Sequence, residues 1–342
     1  MMNVEPQNTV VTVTGASGFI ALHCVRELLE RGYRVRGTLR SLSRQSAVRT
    51  ALAPLEPGDR LSFEEADLSD DSGWDAAMAG ATYALHVASP VPKRAPRDPG
   101  ELIRPAREGT LRALGAASRA GVVRLVMTSS VAAVMSGRDR EPARTFDEDD
   151  WSDLGQRMGA YERSKTLAEQ AAWEFIRGVP PERRLELVTM NPVYVLGPSL
   201  LGTDNASNEV VGKLLRREVP GVPRLQLGFV DVRDVAIAHV LAMTVPEAAG
   251  ERFILFSETR SMQEVAEVLA AAGYRVPNRI LPNFMVRLVS LFDPTVRLIV
   301  DDLDKPFLTT SAKARRLLGW SARPMKEMVL DAAASISKRQ AA

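Results

Sequence analysis

The chain has 342 residues, 45% of them hydrophobic and 25% charged, enough to bury a large core in one α/β domain with a smaller attachment. Its 44 basic residues are balanced by 42 acidic ones, and a net charge of +2 leaves no basic footprint for nucleic acid. A single cysteine, Cys24, excludes an intramolecular disulfide, and there is neither an apolar run of about 18 residues nor a signal-like N-terminal stretch, so a cytoplasmic protein without a membrane partner is expected.

Val10-Val11-Thr12-Val13 reads as a strand covered on both faces, because a nearly unbroken β-branched run suits a parallel sheet. It passes through Thr14-Gly15-Ala16-Ser17-Gly18 into a helix expected from Phe19 to Arg31. Gly15 permits a tight turn, with Ser17 beside it. Gly18 lets a diphosphate approach the backbone, where the N–H groups of Phe19 and Ile20 lack helical partners and the helix dipole favours an anion. Ala21 is small enough to pack the helix on its strand, which completes a G-x-x-G-x-x-A pattern. A second strand from Arg34 to Thr38 supplies the strand–helix–strand context of dinucleotide binding. Between Arg31 and Leu55 there is no acidic residue to take the ribose hydroxyls of NAD, whereas Arg40 and Arg44 follow the strand. NADP(H) is therefore the expected cofactor, its 2′-phosphate held mainly by Arg40 and supported by Arg44.

The alternation continues with strands near Leu61–Glu64, Thr82–Val87 and Leu125–Ser130, and at Leu185–Met190, and with helices near Ser72–Met78, Pro99–Ala120 and Tyr161–Arg177. It predicts a doubly wound parallel sheet of the Rossmann α/β class. Beyond Asn191-Pro192 the pattern weakens into isolated helices at Val230–Met243, Met262–Ala272 and Ser311–Leu318. Residues 1–190 are read as the dinucleotide-binding domain, and 191–342 as mainly a substrate-binding domain from which segments such as Phe253–Phe256 return to the sheet.

Tyr161-Glu162-Arg163-Ser164-Lys165 is a Y-x-x-x-K at a helix start, which puts the phenol and the ammonium on one face. The spacing alone is common; its context, after a strand ending in Ser129-Ser130 and behind a glycine turn, gives it weight. Carbonyl reduction needs a proton on oxygen as hydride reaches carbon, so a tyrosine of pKa about 10 would have to be acidified by roughly two to three units. An ammonium about 4 Å away is worth roughly 4 kcal/mol at an effective dielectric of 20, which is the size required. Ser130 would hold the substrate oxygen by a hydrogen bond. The acidic run Phe146 to Trp151 reads as a solvated loop anchored by Trp151, His23, His86 and His239 are scattered, and no metal site is expected. Val230 to Ala236 reads as a helix entry carrying acidic charge.

Thr14 to Ala21, Arg40, Ala66-Asp67-Leu68, His86 to Pro90, Thr128-Ser129-Ser130, Phe146 to Asp153, Tyr161 to Lys165 and Asn191 to Pro198 together resemble the extended short-chain dehydrogenase/reductases. Within that family the chain is similar to the dihydroflavonol reductase, cinnamoyl-CoA reductase and aldehyde reductase group. The resemblance implies that Ser130, Tyr161 and Lys165 form the catalytic triad. It also implies that Asp67 and Leu68 meet the adenine, that Ala88 and Ser89 to Pro90 flank the nicotinamide, and that Lys165 reaches its ribose, with Pro192 and Val193 lining the cofactor. The alternative for Asp67, after the adenine contact, is a cap for the helix that follows its strand. Many members carry a catalytic Asn where this chain has Arg107-Glu108-Gly109-Thr110, which leaves the proton relay behind Lys165 unassigned. An apolar pocket is expected from Val131, Met158, Tyr194 and Phe229 with Pro192 and Val193, helped by Ile280 to Val300. The expected reaction is NADPH-dependent reduction of a hydrophobic small-molecule carbonyl by a monomer or homodimer. A hydroxysteroid dehydrogenase, a nucleotide-sugar epimerase or dehydratase, or a non-catalytic dinucleotide sensor are the alternatives on the same frame.

Overall fold

The computed structural model describes residues 5–90, 98–138, 144–180, 182, 185–202, 205–297 and 299–341. The strands among these residues are β1 (Val10–Val13), β2 (Arg34–Leu39), β3 (Leu61–Glu65), β4 (Tyr83–His86), β5 (Arg124–Thr128), β6 (Glu186–Pro192), β7 (Tyr194–Leu196), β8 (Gln226–Asp231), β9 (Arg252–Leu255) and β10 (Glu258–Ser261). Seven of them form one parallel sheet in the order β3-β2-β1-β4-β5-β6-β9, the doubly wound Rossmann-like architecture expected from the alternation.

Residues alternate across each strand and so serve two cores. Val11, Val13, Leu85, Val126 and Val188 face one layer, where the helices Phe19–Glu30 and Val232–Thr244 add Leu22, Val25, Val235 and Val240. Ala84, Leu125, Met127 and Leu187 face the other, where the helices Gly100–Arg119 and Ala160–Arg177 bring Leu114, Ala117, Ala168 and Ala172. The chain leaves β1 toward β2 and β3 on one side and later returns to β4, β5 and β6 on the other. The carboxyl ends of β1 and β4 therefore flank the crevice where open α/β sheets bind ligands.

β10, β8 and β7 make a separate three-stranded sheet, with β8 antiparallel to β10 and parallel to β7. It has its own core, including Leu196, Val211, Phe229, Leu269 and Met328. The helix read from Val230 actually starts at Val232, because β8 takes Val230 and Asp231 and the Asp231 carboxylate caps the Arg233 N–H at 2.8 Å. The helix read from Ser72 starts at Trp74, since Gly73 before it turns with a φ of 79° and lies against the Glu65 carbonyl.

Candidate active site

The glycine turn is built by contacts that reach across the sheet. Gly15 adopts a φ of +67°, and a Cβ there would lie 3.1 Å from the Ala88 Cβ, so glycine is required both for conformation and for close approach. Its N–H donates to the Thr38 hydroxyl at 3.0 Å, and the Ala16 N–H donates to the Thr38 carbonyl at 2.9 Å, tying the turn to β2. The Thr14 hydroxyl accepts from the N–H groups of Val87 and Ala88 at 3.0 and 2.9 Å, tying it to the exit of β4. Gly37 is what lets Ala16 fit, since a Cβ on it would come within 2.6 Å of the Ala16 Cβ.

Gly18 is exposed and ends the turn as the N-cap of Phe19–Glu30, with no side chain capping the helix. Its first-turn N–H groups are thus left for an anionic ligand. Ser17, Phe19 and Ile20 are partly exposed around it. Arg40 and Arg44 lie exposed beyond β2, and among the described residues neither has an ion-pair partner. Their charge reaches this edge of the crevice: Arg40 contributes to holding the Asp67 carboxyl low, after the larger effect of the hydrogen bonds Asp67 accepts from Ser69. Those bonds make Asp67 the head of a turn at Ser69, and it does not cap the Trp74–Met78 helix. Leu68 packs where a Cβ on Gly109 would sit, which explains the glycine in Arg107-Glu108-Gly109-Thr110. An uncapped helix N-terminus, a glycine cradle and two unpaired guanidinium groups are the donor set that a dinucleotide phosphate needs.

Ser130, Tyr161 and Lys165 converge at the carboxyl end of β5. Ser130 follows the strand; its hydroxyl accepts from the Ala132 N–H at 3.1 Å and acts on the nearby Tyr161 phenol, lowering its pKa. One turn along the Ala160–Arg177 helix, the buried Lys165 ammonium donates to the Thr128 carbonyl at 3.4 Å and lies 5.9 Å from the centre of the Tyr161 ring. The expected acidification of Tyr161 is not present in the protein alone. Burial pushes the phenol above its ordinary value, more than Ser130 lowers it. Lys165 is pulled from 10.5 to about 8 by burial, opposed by the negative charge of Glu169.

The expected pocket is assembled only in part. Val131 and Tyr194 are partly exposed, and Met158 is too, with its Cε close to Gly137. Pro192 and Val193 are buried at the end of β6, where the Pro192 carbonyl accepts from the Val131 N–H at 3.0 Å. Phe229 is 0% exposed, edge-on to Tyr194 in the core of the small sheet, and presents no surface to a ligand. Of the 280–300 segment, Phe284, Leu288, Leu291 and Phe292 are exposed.

The acidic run 146–151 is not simply a solvated loop. Glu148 is buried, accepting from the Ile254 N–H at 3.0 Å, and the Arg252 guanidinium stacks 3.8 Å from the centre of the Trp151 ring. His23, His86 and His239 are buried apart from one another, bonded to the Pro198 carbonyl, the Thr14 hydroxyl and the Thr128 hydroxyl respectively. Among the described residues no group of three or more His, Cys, Asp or Glu could hold a metal, and no helix is long and apolar enough to cross a membrane.

Residues 11–255 match the NAD dependent epimerase/dehydratase family. The chain belongs to that family, the extended short-chain dehydrogenase/reductases. It is 42% identical over 270 residues to cinnamoyl-CoA reductase 1 of Arabidopsis thaliana, covering 78% of this chain and 75% of the relative. To cinnamoyl-CoA reductase 2 of the same plant it is 34% identical over 334 residues, 96% of this chain and 93% of the other. Among solved structures, yeast methylglyoxal/isovaleraldehyde reductase Gre2 complexed with NADPH superposes with a TM-score of 0.81 at 29% identity, over 97% of this chain and 99% of that one.

Sequence reasoning gave no role to Thr38 and Gly37, which shape the turn, or to Glu169 and Arg252, which lie behind Ser130 and Lys165, and it gave Thr14 and Asn191 a part only within the family resemblance. The one local signal was Glu169, a carboxylate four residues after Lys165 on the same helix face.

Proposed function

We propose that the protein is an NADPH-dependent reductase of small-molecule aldehydes or ketones, with Tyr161 as proton donor to the substrate oxygen. The observation that carries this reading is the meeting of Ser130, Tyr161 and Lys165 at the strand edge that also holds the uncapped glycine turn. The glycine turn, Arg40 and Arg44 would hold the dinucleotide through its phosphates, with Asp67 and Leu68 toward the adenine and Ala88 and Ser89 toward the nicotinamide. When bound, NADPH supplies the hydride.

The protein's own part is to bind, orient and protonate. Ser130 donates a hydrogen bond to the substrate oxygen and so gathers the charge that develops there. Burial keeps the proton on Tyr161 at neutral pH, so the residue enters the reaction as an acid. Lys165 then lowers the cost of the phenolate by its adjacent positive charge. Val131, Met158 and Tyr194 give the mouth an apolar character suited to a hydrophobic carbonyl compound. Residues 1–190 carry the cofactor, while 191–342 mainly carry the substrate and return β9 to the main sheet.

The test follows NADPH oxidation by absorbance with methylglyoxal, isovaleraldehyde, cinnamaldehyde and cinnamoyl-CoA, alongside NADH. Turnover with at least one carbonyl and a preference for NADPH are expected. No absorbance change with any of them defeats the reading, and NAD retained through purification points instead to epimerase chemistry.

A further inference from the structure

Behind the three catalytic residues lies a charged network that the reaction as described does not use. Glu169 is 0% exposed and stands one turn beyond Lys165. Its Oε2 accepts from the Ser129 hydroxyl and from the Asn191 amide at 2.7 Å, and its Oε1 accepts from the Thr189 hydroxyl at 2.9 Å and the Arg252 Nε at 2.7 Å. The same Asn191 amide donates to the Ser130 carbonyl at 3.1 Å. Arg252 reaches onward, its Nη1 donating to the carbonyls of Glu148 and Asp150, both at 2.7 Å. A buried carboxylate is costly without partners, and here side-chain donors on β6, β9 and the end of β5 surround it, joined by the Trp173 Nε1 at 3.4 Å from its own helix.

We propose that Glu169 is a positioning residue for the reaction: its carboxylate, clamped by Arg252, Asn191, Thr189 and Ser129, holds Lys165 as an ammonium and fixes the Ser129–Ser130 strand end against β6. This inference rests on Ser130, Tyr161 and Lys165 being the reductase centre. Glu169 is the charge that opposes the desolvation of Lys165. The other titratable groups around the ammonium give it no such support. Tyr161 on the same helix is held neutral by burial, and Glu162 acts on the phenol. His86 on β4 and His239 on the Val232–Thr244 helix are both held neutral by burial, and Arg252 on β9 is a cation paired with Glu169.

The deciding experiment titrates the Lys165 ammonium by 15N-lysine NMR in the wild type and in Glu169→Gln, the resonance being identified by its loss in Lys165→Met. The midpoint is expected near 8 in the wild type. In Glu169→Gln it should lie about one unit or more lower, and Glu169→Asp should restore most of the difference. In carbonyl reduction the same shift cuts the protonated fraction at pH 8 from about a half to about a tenth, so kcat falls about fivefold there and much less at pH 6. A loss by one factor at every pH would mark a purely structural role. If Glu169→Gln does not fold, the double variant Glu169→Gln with Arg252→Met removes both charges, leaves no unpaired buried ion, and carries the same expectation. An unchanged Lys165 midpoint in a folded variant overturns the inference, whereas a wild type that reduces no carbonyl defeats the functional reading and leaves the NMR comparison to stand.

Discussion

Replacing Arg40 by alanine isolates the cofactor choice from the chemistry. Arg40 stands exposed at the end of β2, without an ion-pair partner among the described residues, so its guanidinium is not committed to any other group. A 2′-phosphate carries close to two negative charges, and a contact at about 4 Å is worth roughly 2 kcal/mol at the dielectric of water and more where the crevice excludes it. A charge-assisted, two-pronged hydrogen bond is worth about 1.5–3 kcal/mol, in agreement. Converted at 1.4 kcal/mol per decade, the loss corresponds to roughly a ten- to hundredfold drop in the ratio of kcat/KM for NADPH over NADH. NADH, which lacks the phosphate, should be used about as well by the variant as by the wild type. The assay is initial-rate kinetics with both cofactors and one saturating carbonyl. Equal use of the two cofactors by the wild type, or an unchanged ratio in Arg40→Ala, refutes the reasoning.

Tyr161→Phe removes the proposed proton donor and keeps the ring, so kcat is expected to fall about 10²–10⁴-fold while NADPH binding, followed by fluorescence, stays nearly constant; more than about a tenth of wild-type kcat would rule out general acid catalysis by this phenol. Ser130→Ala should cost roughly 10²–10³ in kcat through the lost hydrogen bond to the developing oxyanion, measured in the same assay. Gly37→Ala drives a methyl to 2.6 Å from the Ala16 Cβ beneath the cofactor turn, so chemical denaturation should report a loss of about 1–3 kcal/mol together with weaker NADPH binding. Stability should also fall on acidification. Burial lowers His86 to about 3 and His23 and His239 to about 4 from the ordinary 6.5, so below pH 6.5 the unfolded chain takes up more protons than the folded one. Stability is full above that pH and is lost as pH falls toward 4, by about 2 kcal/mol per imidazole at pH 5, readable from urea melts at pH 7 and 5.

The amino-acid order alone was enough for the sheet and for the placing of Tyr161 and Lys165 on one helix face, because both depend on local or periodic signals. β-branched runs separated by amphipathic helices specify a parallel sheet, glycine spacing after a strand specifies a phosphate turn, and i to i+4 spacing places Tyr161 and Lys165 on one helix face. The small sheet was illegible for the opposite reason. β7, β8 and β10 are short and pair across gaps in sequence, so no single segment announces them.

The tertiary structure decided which polar groups became neighbours. Glu169, Asn191 and Arg252 come from one helix and two strands, and only sheet order brings them behind Ser130 and Lys165. It also decided burial. Phe229 became core instead of pocket, Glu148 became buried instead of solvated, and the Tyr161 phenol was raised where the sequence suggested that Lys165 would lower it. Desolvation depends on everything packed around a group, and that surrounding is drawn from the whole chain.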